Sequence, residues 1–424
     1  MQQRRDDDAA EVSLIVLDKD YSTEEIGKKL QTRLRPFDLF NESLYRIEVY
    51  KAPAATYLLM DVHHIVFDGI STAVVLADLL KAYHGMPLQP ESYTAFDFAL
   101  DEQEIKESAQ YKEAEKYFGN LVSESSVAVY PSSASTDGVT SSVVETTIPM
   151  EDIDQFCSRT GVTAGSYLQA AFVEVMQRIS REEMPLTLTI SSGRAANVGL
   201  QQSVGMYVKT LPVVYPVVKN GGVVDFVKAM HQQLQDSYGM DFYPYTKIVE
   251  DYKVHAEMMF LYQGGLSDDI QVENGEVIRL QLDTVKFPVT VMTYPENGRY
   301  VIKLEYDGMR YCNAHLEKLL NAIATIAQTM ATADTLSELS IVAAEEKTAI
   351  MSLSEGEKLE YDKTQTWIDM FLQHVKEQPD ADALVDYKSK VSYAEMNRQS
   401  IKLARILMDK GEAKIGRASC RERV

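Results

Sequence analysis

Short apolar runs alternate with stretches of helical periodicity along most of this chain. Residues 12–18, VSLIVLD, read as a strand. STEEIGKKLQTRLRPFDL (22–39) then has helical spacing, with Ser22 or Thr23 placed to cap it and Glu25 in the first turn. YRIEVYKA alternates as a half-buried strand. ATYLLMDV is apolar almost throughout, as a central strand covered on both faces should be. HHIVFDG (63–69) follows directly. STAVVLADLLKAYHG then reads as a helix, with Leu76, Leu79, Leu80 and Tyr83 at helical spacing and Gly85 at its end.

A helix is predicted over roughly 96–122, where YKEAEKYF reads as a solvated face. SSASTDGVTSS (132–142) is small and polar, a loop. The pattern then restarts: strand SVVETTIPM, helix EDIDQFCSRTG, a longer helix SYLQAAFVEVMQRIS, and buried strand LTLTISS. The later half alternates strands such as GRYVIKLEYDG with helices such as AHLEKLLNAIATIAQTM. The class is α/β with mixed sheets. Near 340 the chain becomes charged and loses its apolar period, and 346–366 reads as a linker. WIDMFLQHVKEQPDADALV and VSYAEMNRQSIKLARILMDKG then form a new helix–strand–strand–helix unit. It is short for an independent core, so 367–416 reads as the front of a truncated domain. Residues 417–424 have no apolar pattern and read as an artefactual tail.

A length of 424 residues exceeds what one core normally serves, so two or three domains are expected. Lys and Arg number 42 against 63 Asp and Glu, a net charge of −21, which argues against a nucleic-acid or anionic-membrane surface. The three cysteines, Cys157, Cys312 and Cys420, are far apart, so neither a disulfide framework nor a CxxC metal site is indicated. The N-terminus lacks the apolar core of a signal peptide, and no apolar run reaches spanning length. The cytoplasm is the expected compartment.

HHIVFDG is the stretch that suggests chemistry. Side chains alternate on a strand, so His63 and His64 should face opposite ways. They cannot then converge on one ion, and nothing nearby completes a ligand set, so no metal is expected. One histidine can face a cleft, since an imidazole ordinarily titrates near neutrality, while the other anchors the turn. Asp68 can order the turn by accepting backbone N–H groups or by pairing with an arginine. Gly69 leaves room for a substrate or adopts an angle that a Cβ forbids. Ser71 or Thr72 can cap the next helix.

HHIVFDG resembles the HHxxxDG signature of the condensation domains of nonribosomal peptide synthetases, which share the chloramphenicol-acetyltransferase-like fold. The resemblance extends over about 10–345. RPFDLFNESLYRIEVY is similar to the segment before the signature. ISSGRAAN and SVGMYVKTLPV are similar to later motifs of the family, as is YPYTKIVED. Residues 367–416, with VSYAEMN, resemble the opening of an adenylation domain. The family's opening strand and helix are not matched. Asp101 stands where many members have Trp, and Lys209 where Asn is frequent.

The resemblance implies two similar lobes, about 1–140 and 141–345, with mixed sheets and a central tunnel. Upstream and downstream peptidyl carrier domains would deliver phosphopantetheine thioesters to it, with an adenylation domain in cis and no cofactor of the chain's own. The acceptor amine would attack the donor thioester. His64 would be catalytic, as base, intermediate stabiliser or orienter of the amine. His63, Asp68 and Gly69 would support it, the partner of Asp68 being either Arg194 or an arginine upstream. Gly205, Met206, Tyr207, Tyr243 and Pro244 would line the tunnel. An epimerization domain shares the signature, and a carrier-docking scaffold without activity is a third reading.

Other features are weaker. QGGLSDD (263–269) contains a GGxS like a carrier attachment site, but alternating residues and an Asn-Gly pair follow Ser267, so a plain strand connection is expected. Histidines 84, 231, 255, 315 and 374 are isolated and read as structural or exposed. Trp367 reads as core.

Overall fold

The computed structural model describes residues 12–133, 141–195, 197–218, 221–264, 275–278, 280, 285–357, 360, 362 and 364–410. The chain divides into two compact units, Met1–Thr348 and Ala349–Val424. Ser267 and most of the loop 132–142 lie outside the described residues, as do 411–416 and the tail 417–424.

In the first unit, β1 (Val12–Val16) leads through α1 (Thr23–Gln31) to β2 (Tyr45–Lys51), which lies parallel to it. β3 (Thr56–Val62) returns antiparallel, completing a sheet ordered β1-β2-β3. α1 opens on the expected capping box between Ser22 and Glu25. It ends at Gln31 rather than 39: the Thr32 hydroxyl donates back to the Lys29 carbonyl, and Pro36 keeps Arg35 from resuming the helix. Its buried Ile26 and Leu30 meet Leu17, Tyr50 and Leu59.

Four elements follow: α2 (Gly69–Tyr83), α3 (Ala95–Lys106), α4 (Ala109–Ser123) and β4 (Ser126–Val127). The single helix expected over 96–122 is therefore two. Ser108 starts the second by accepting the Tyr111 N–H, a competing side-chain bond that favours a cap over a helix interior. YKEAEKYF is not a wholly solvated face either, since Ala114 and Phe118 are fully buried.

Next come β5 (Ser142–Pro149), α5 (Glu151–Thr160), α6 (Ala164–Ser180), β6 (Pro185–Ser191) and β7 (Lys209–Val214). They are followed by α7 (Val223–Tyr238), α8 (Tyr245–Tyr252), β8 (Met258–Tyr262), β9 (Val289–Glu296), β10 (Arg299–Tyr306) and α9 (Asn313–Thr329). The strands form a seven-stranded sheet ordered β4-β6-β8-β9-β10-β5, with β7 antiparallel to β6. Asn297 and Gly298, both at positive φ, close the β9–β10 hairpin as a two-residue turn requires. One apolar cluster holds residues of α5, α6, α7 and α9. A second joins Ala114, Phe118 and Val122 of α4 to Leu186 and Leu188 of β6 and Ile248 of α8. Thus α4 and β4 belong with the larger sheet although they precede the polar loop 132–142.

α10 (Ala344–Ser354) is a helix within the stretch expected to be linker. The second unit contains α11 (Trp367–Glu377), β11 (Asp382–Val385), β12 (Lys390–Ser392) and α12 (Tyr393–Asp409), the four elements expected from the sequence. Phe371 and His374 pack on Tyr393. Trp367 is 71% exposed and is not core.

Candidate active site

The HHxxxDG stretch lies between β3 and α2. β3 ends at Val62, so His63 and His64 occupy the turn beyond it, and strand alternation does not govern them. Their division of labour arises differently. His63 is held: its N–H donates to the Leu44 carbonyl, its Nδ1 accepts the Ile65 N–H at 3.0 Å, and its ring meets Phe37 edge-on. His64 is exposed, and its imidazole bonds to none of the described residues.

Asp68 caps α2 itself, accepting the Ser71 N–H at 2.8 Å, so neither Ser71 nor Thr72 is the cap. A carboxylate here also complements the positive end of the helix dipole. Gly69 is the first helical residue. An added Cβ there would touch nothing within 4 Å, so the glycine leaves open space rather than solving a backbone problem.

Asp68 uses both of the expected means of ordering the turn. Arg194 Nη2 donates to its Oδ1 at 2.8 Å, and the Tyr207 N–H donates to its Oδ2 at 3.2 Å. Both side chains of the ion pair are fully buried. Ser71 Oγ lies 2.8 Å from Asp68 Oδ1 and 2.9 Å from the Gly205 carbonyl, and accepts from Arg194 Nη2 and the Gly205 N–H. Arg194 Nη1 also donates to the carbonyls of Ser203, at 2.8 Å, and Leu200. Its guanidinium stacks 4.5 Å over the Tyr207 ring. A buried charge pair needs this many satisfied donors, since an unpaired one is costly.

Glycine is required at Gly193, where φ is +67° and an added Cβ would lie 1.9 Å from the Tyr207 carbonyl oxygen. At Gly205 a Cβ would fall 2.7 Å from the Tyr207 ring. Burial pushes the Tyr207 hydroxyl pKa up, and that hydroxyl lies 2.5 Å from Ser203 Oγ.

The structure thus brings His63, His64, Asp68, Gly69, Arg194, Gly205 and Tyr207 into one neighbourhood. Met206 is partly exposed between the buried Gly205 and Tyr207. Tyr243 and Pro244 take no part in this bonding. Tyr243 is buried against Tyr111 and Phe118, and Pro244 caps α8. Sequence reasoning did not anticipate Glu91, which accepts from Ser203 Oγ and from the Val204 N–H at 3.0 Å. Nor did it anticipate Asp241, which accepts from Ser191 Oγ at 2.6 Å. Neither carries a local motif signal. The two departures from the family pattern both find partners: Asp101 accepts from the Tyr93 hydroxyl, and Lys209 pairs with Glu102. Among the described residues no cluster suited to a metal ion occurs, and no helix is long and apolar enough to cross a membrane.

The condensation-domain family model matches residues 1–351, and the chain belongs to that family. Tyrocidine synthase 3 of Brevibacillus parabrevis is 25% identical over 412 residues, covering 92% of this chain and 6% of its own length. A four-domain nonribosomal peptide synthetase bound to AMP and glycine superposes with a TM-score of 0.70 at 17% identity, covering 95% of this chain and 33% of that one. The first condensation domain of the CDA synthetase gives 0.59 at 15%, covering 80% and 82%. The fold is accordingly the two-lobed chloramphenicol-acetyltransferase-like one. The chain spans only a small fraction of its curated relative's length.

Proposed function

We propose that this chain forms a peptide bond between two thioester-bound substrates, as part of a nonribosomal peptide synthetase. The observation that carries this reading is the contrast between an exposed, unengaged His64 and an Asp68 locked four residues later by Arg194. A turn anchored by Asp68 and His63 presents the His64 imidazole, which bonds to none of the described residues.

A thioester is already activated, so the acceptor amine can attack it without an enzyme nucleophile. His64 orients that amine and receives its proton as the new amide forms and the donor thiolate leaves. Binding both thioesters in one tunnel turns an encounter of two carriers into a near-unimolecular step. Carrier domains on either side supply the phosphopantetheine arms, which are substrate handles and not resident cofactors. Met206, partly exposed beside the Asp68 cluster, faces the tunnel, with Gly205 and Tyr207 forming its wall. Residues 367–416 open an adenylation domain in cis, and the synthetase works in the cytoplasm.

The test uses the chain within its full synthetase module and two carrier domains loaded with aminoacyl groups. Dipeptidyl thioester should accumulate with the native protein and be lost in His64→Ala. Equal product from His64→Ala would sink the reading.

A further inference from the structure

Lys209 begins β7, two residues after the Tyr207 whose N–H holds Asp68. Its ammonium pairs with Glu102 on α3, with side chains only 22% and 32% exposed. The same ammonium lies 5.0 Å over the Phe98 ring, one turn earlier on α3, and Phe98 in turn meets Tyr207 edge-on at 5.2 Å. α3 therefore grips the 207–209 segment twice, by charge and by ring. A second carboxylate is close by. Ser191 is the register partner of Lys209 on β6, and its hydroxyl bonds Asp241. Lys209 attracts the Asp241 carboxylate and Glu102 repels it, while burial pushes its pKa up. One cation thus acts on two carboxylates at the end of β6 and the start of β7, beside the loop that holds Arg194 and Tyr207.

We propose that Lys209 is a positioning residue for the reaction. Its pair with Glu102 clamps α3 onto the start of β7. That clamp keeps the Tyr207 N–H aimed at Asp68 and so fixes the turn that presents His64. This inference rests on the condensation reading above.

The arrangement predicts an order of severity. Glu102→Gln loosens the clamp but leaves the Lys209 charge to act on Asp241. Lys209→Met leaves Glu102 and Asp241 without a cation, so it should be worse. The combined exchange Lys209→Glu with Glu102→Lys should restore the clamp more than Lys209→Glu alone.

The experiment reads two quantities in the full synthetase module. The first is hydrogen exchange of the Tyr207 amide, followed by mass spectrometry. The second is dipeptide formation, resolved into kcat and KM for the acceptor carrier. For Lys209→Met we expect exchange at Tyr207 to quicken and kcat to fall roughly fivefold, the factor matching about 1 kcal/mol for a mostly buried pair. KM should hold steady. Glu102→Gln should show a smaller change of the same kind, and the charge exchange should recover both readouts. Adding Asp241→Asn to Lys209→Met should recover part of the loss.

Unchanged Tyr207 exchange in both Lys209→Met and Glu102→Gln would overturn the proposal, as would a charge exchange no better than Lys209→Glu. If Lys209→Met fails to fold, Glu102→Gln and the charge exchange still decide. A native protein that makes no dipeptide but whose Tyr207 exchange responds as described would refute the condensation reading and leave the clamp standing.

Discussion

Arg194 places its Nη2 2.8 Å from the carboxylate of Asp68 across 126 residues of chain, with both side chains shut off from solvent. The pair joins the helix start beside His64 to the loop before β7. Removing either partner leaves an uncompensated buried charge. Asp68→Asn and Arg194→Met should each cost about 3–5 kcal/mol. The double variant should cost less than the sum, because both charges then leave together. Urea unfolding of the four proteins measures this cycle, and additive losses would show that the two charges do not depend on each other.

Gly193 supports the same loop through its backbone. Gly193→Ala meets a left-handed φ of +67° and a carbonyl oxygen at 1.9 Å. The conformation alone costs roughly 1–2 kcal/mol, and relieving the clash adds to it. Gly69→Ala, with open space around its Cβ, should leave stability unchanged or slightly raised. A fall in activity at unchanged stability in Gly69→Ala would show that substrate uses that space. Thermal melts beside turnover separate the two effects.

Much of this is legible in the chain. The alternation in β2 and the restart after 142 point to elements the fold contains, and HHIVFDG points to the turn where Asp68 meets Arg194, because local pattern marks both. What was missed depends on long-range partners or on local competition. Ser108 splits a helix because its hydroxyl can cap, which periodicity does not register. Asp68 takes the capping place expected of Ser71 because its carboxylate reaches the same N–H. Whether Arg194 or an upstream arginine answers Asp68 was open in sequence, and only the fold places Arg194 there. Glu102 and Asp241 had no signal, since their meaning comes from Lys209 beside them in space.

The two adjacent histidines should differ in what their loss does to stability. His63→Ala removes the acceptor for the Ile65 N–H and the edge contact with Phe37. We expect a loss of about 1 kcal/mol of stability together with lower activity. His64→Ala removes a side chain without described partners, so its melting temperature should match the native protein while dipeptide formation disappears. A His64→Ala protein that melts early would mean that His64 supports the turn rather than the reaction.

Gln169 on α6 is 1% exposed, and neither its amide nitrogen nor its amide oxygen has a hydrogen-bond partner among the described residues. A buried unmade bond costs about 1–3 kcal/mol. Gln169→Leu, close in volume, should therefore leave stability unchanged or raise it, by up to about 2 kcal/mol. Chemical denaturation reads the difference. A clear loss of stability would mean that the amide is satisfied in solution.

Asp241 gives the protein a pH dependence of predictable sign. Burial raises its carboxyl pKa, with Ser191 and Lys209 opposing and Glu102 reinforcing the rise. An unfolded aspartate titrates near about 3.9, so above that value the unfolded chain has released a proton that the folded chain still holds. Folding is then favoured by low pH, and stability falls as pH rises through the folded pKa. Asp241→Asn removes this dependence while keeping an oxygen for the Ser191 hydroxyl. The variant should be the more stable protein at neutral pH, and the two should converge as pH drops toward about 4. Urea midpoints measured across that range test the sign. An advantage of the same size at every pH would show that the effect is not the proton on Asp241.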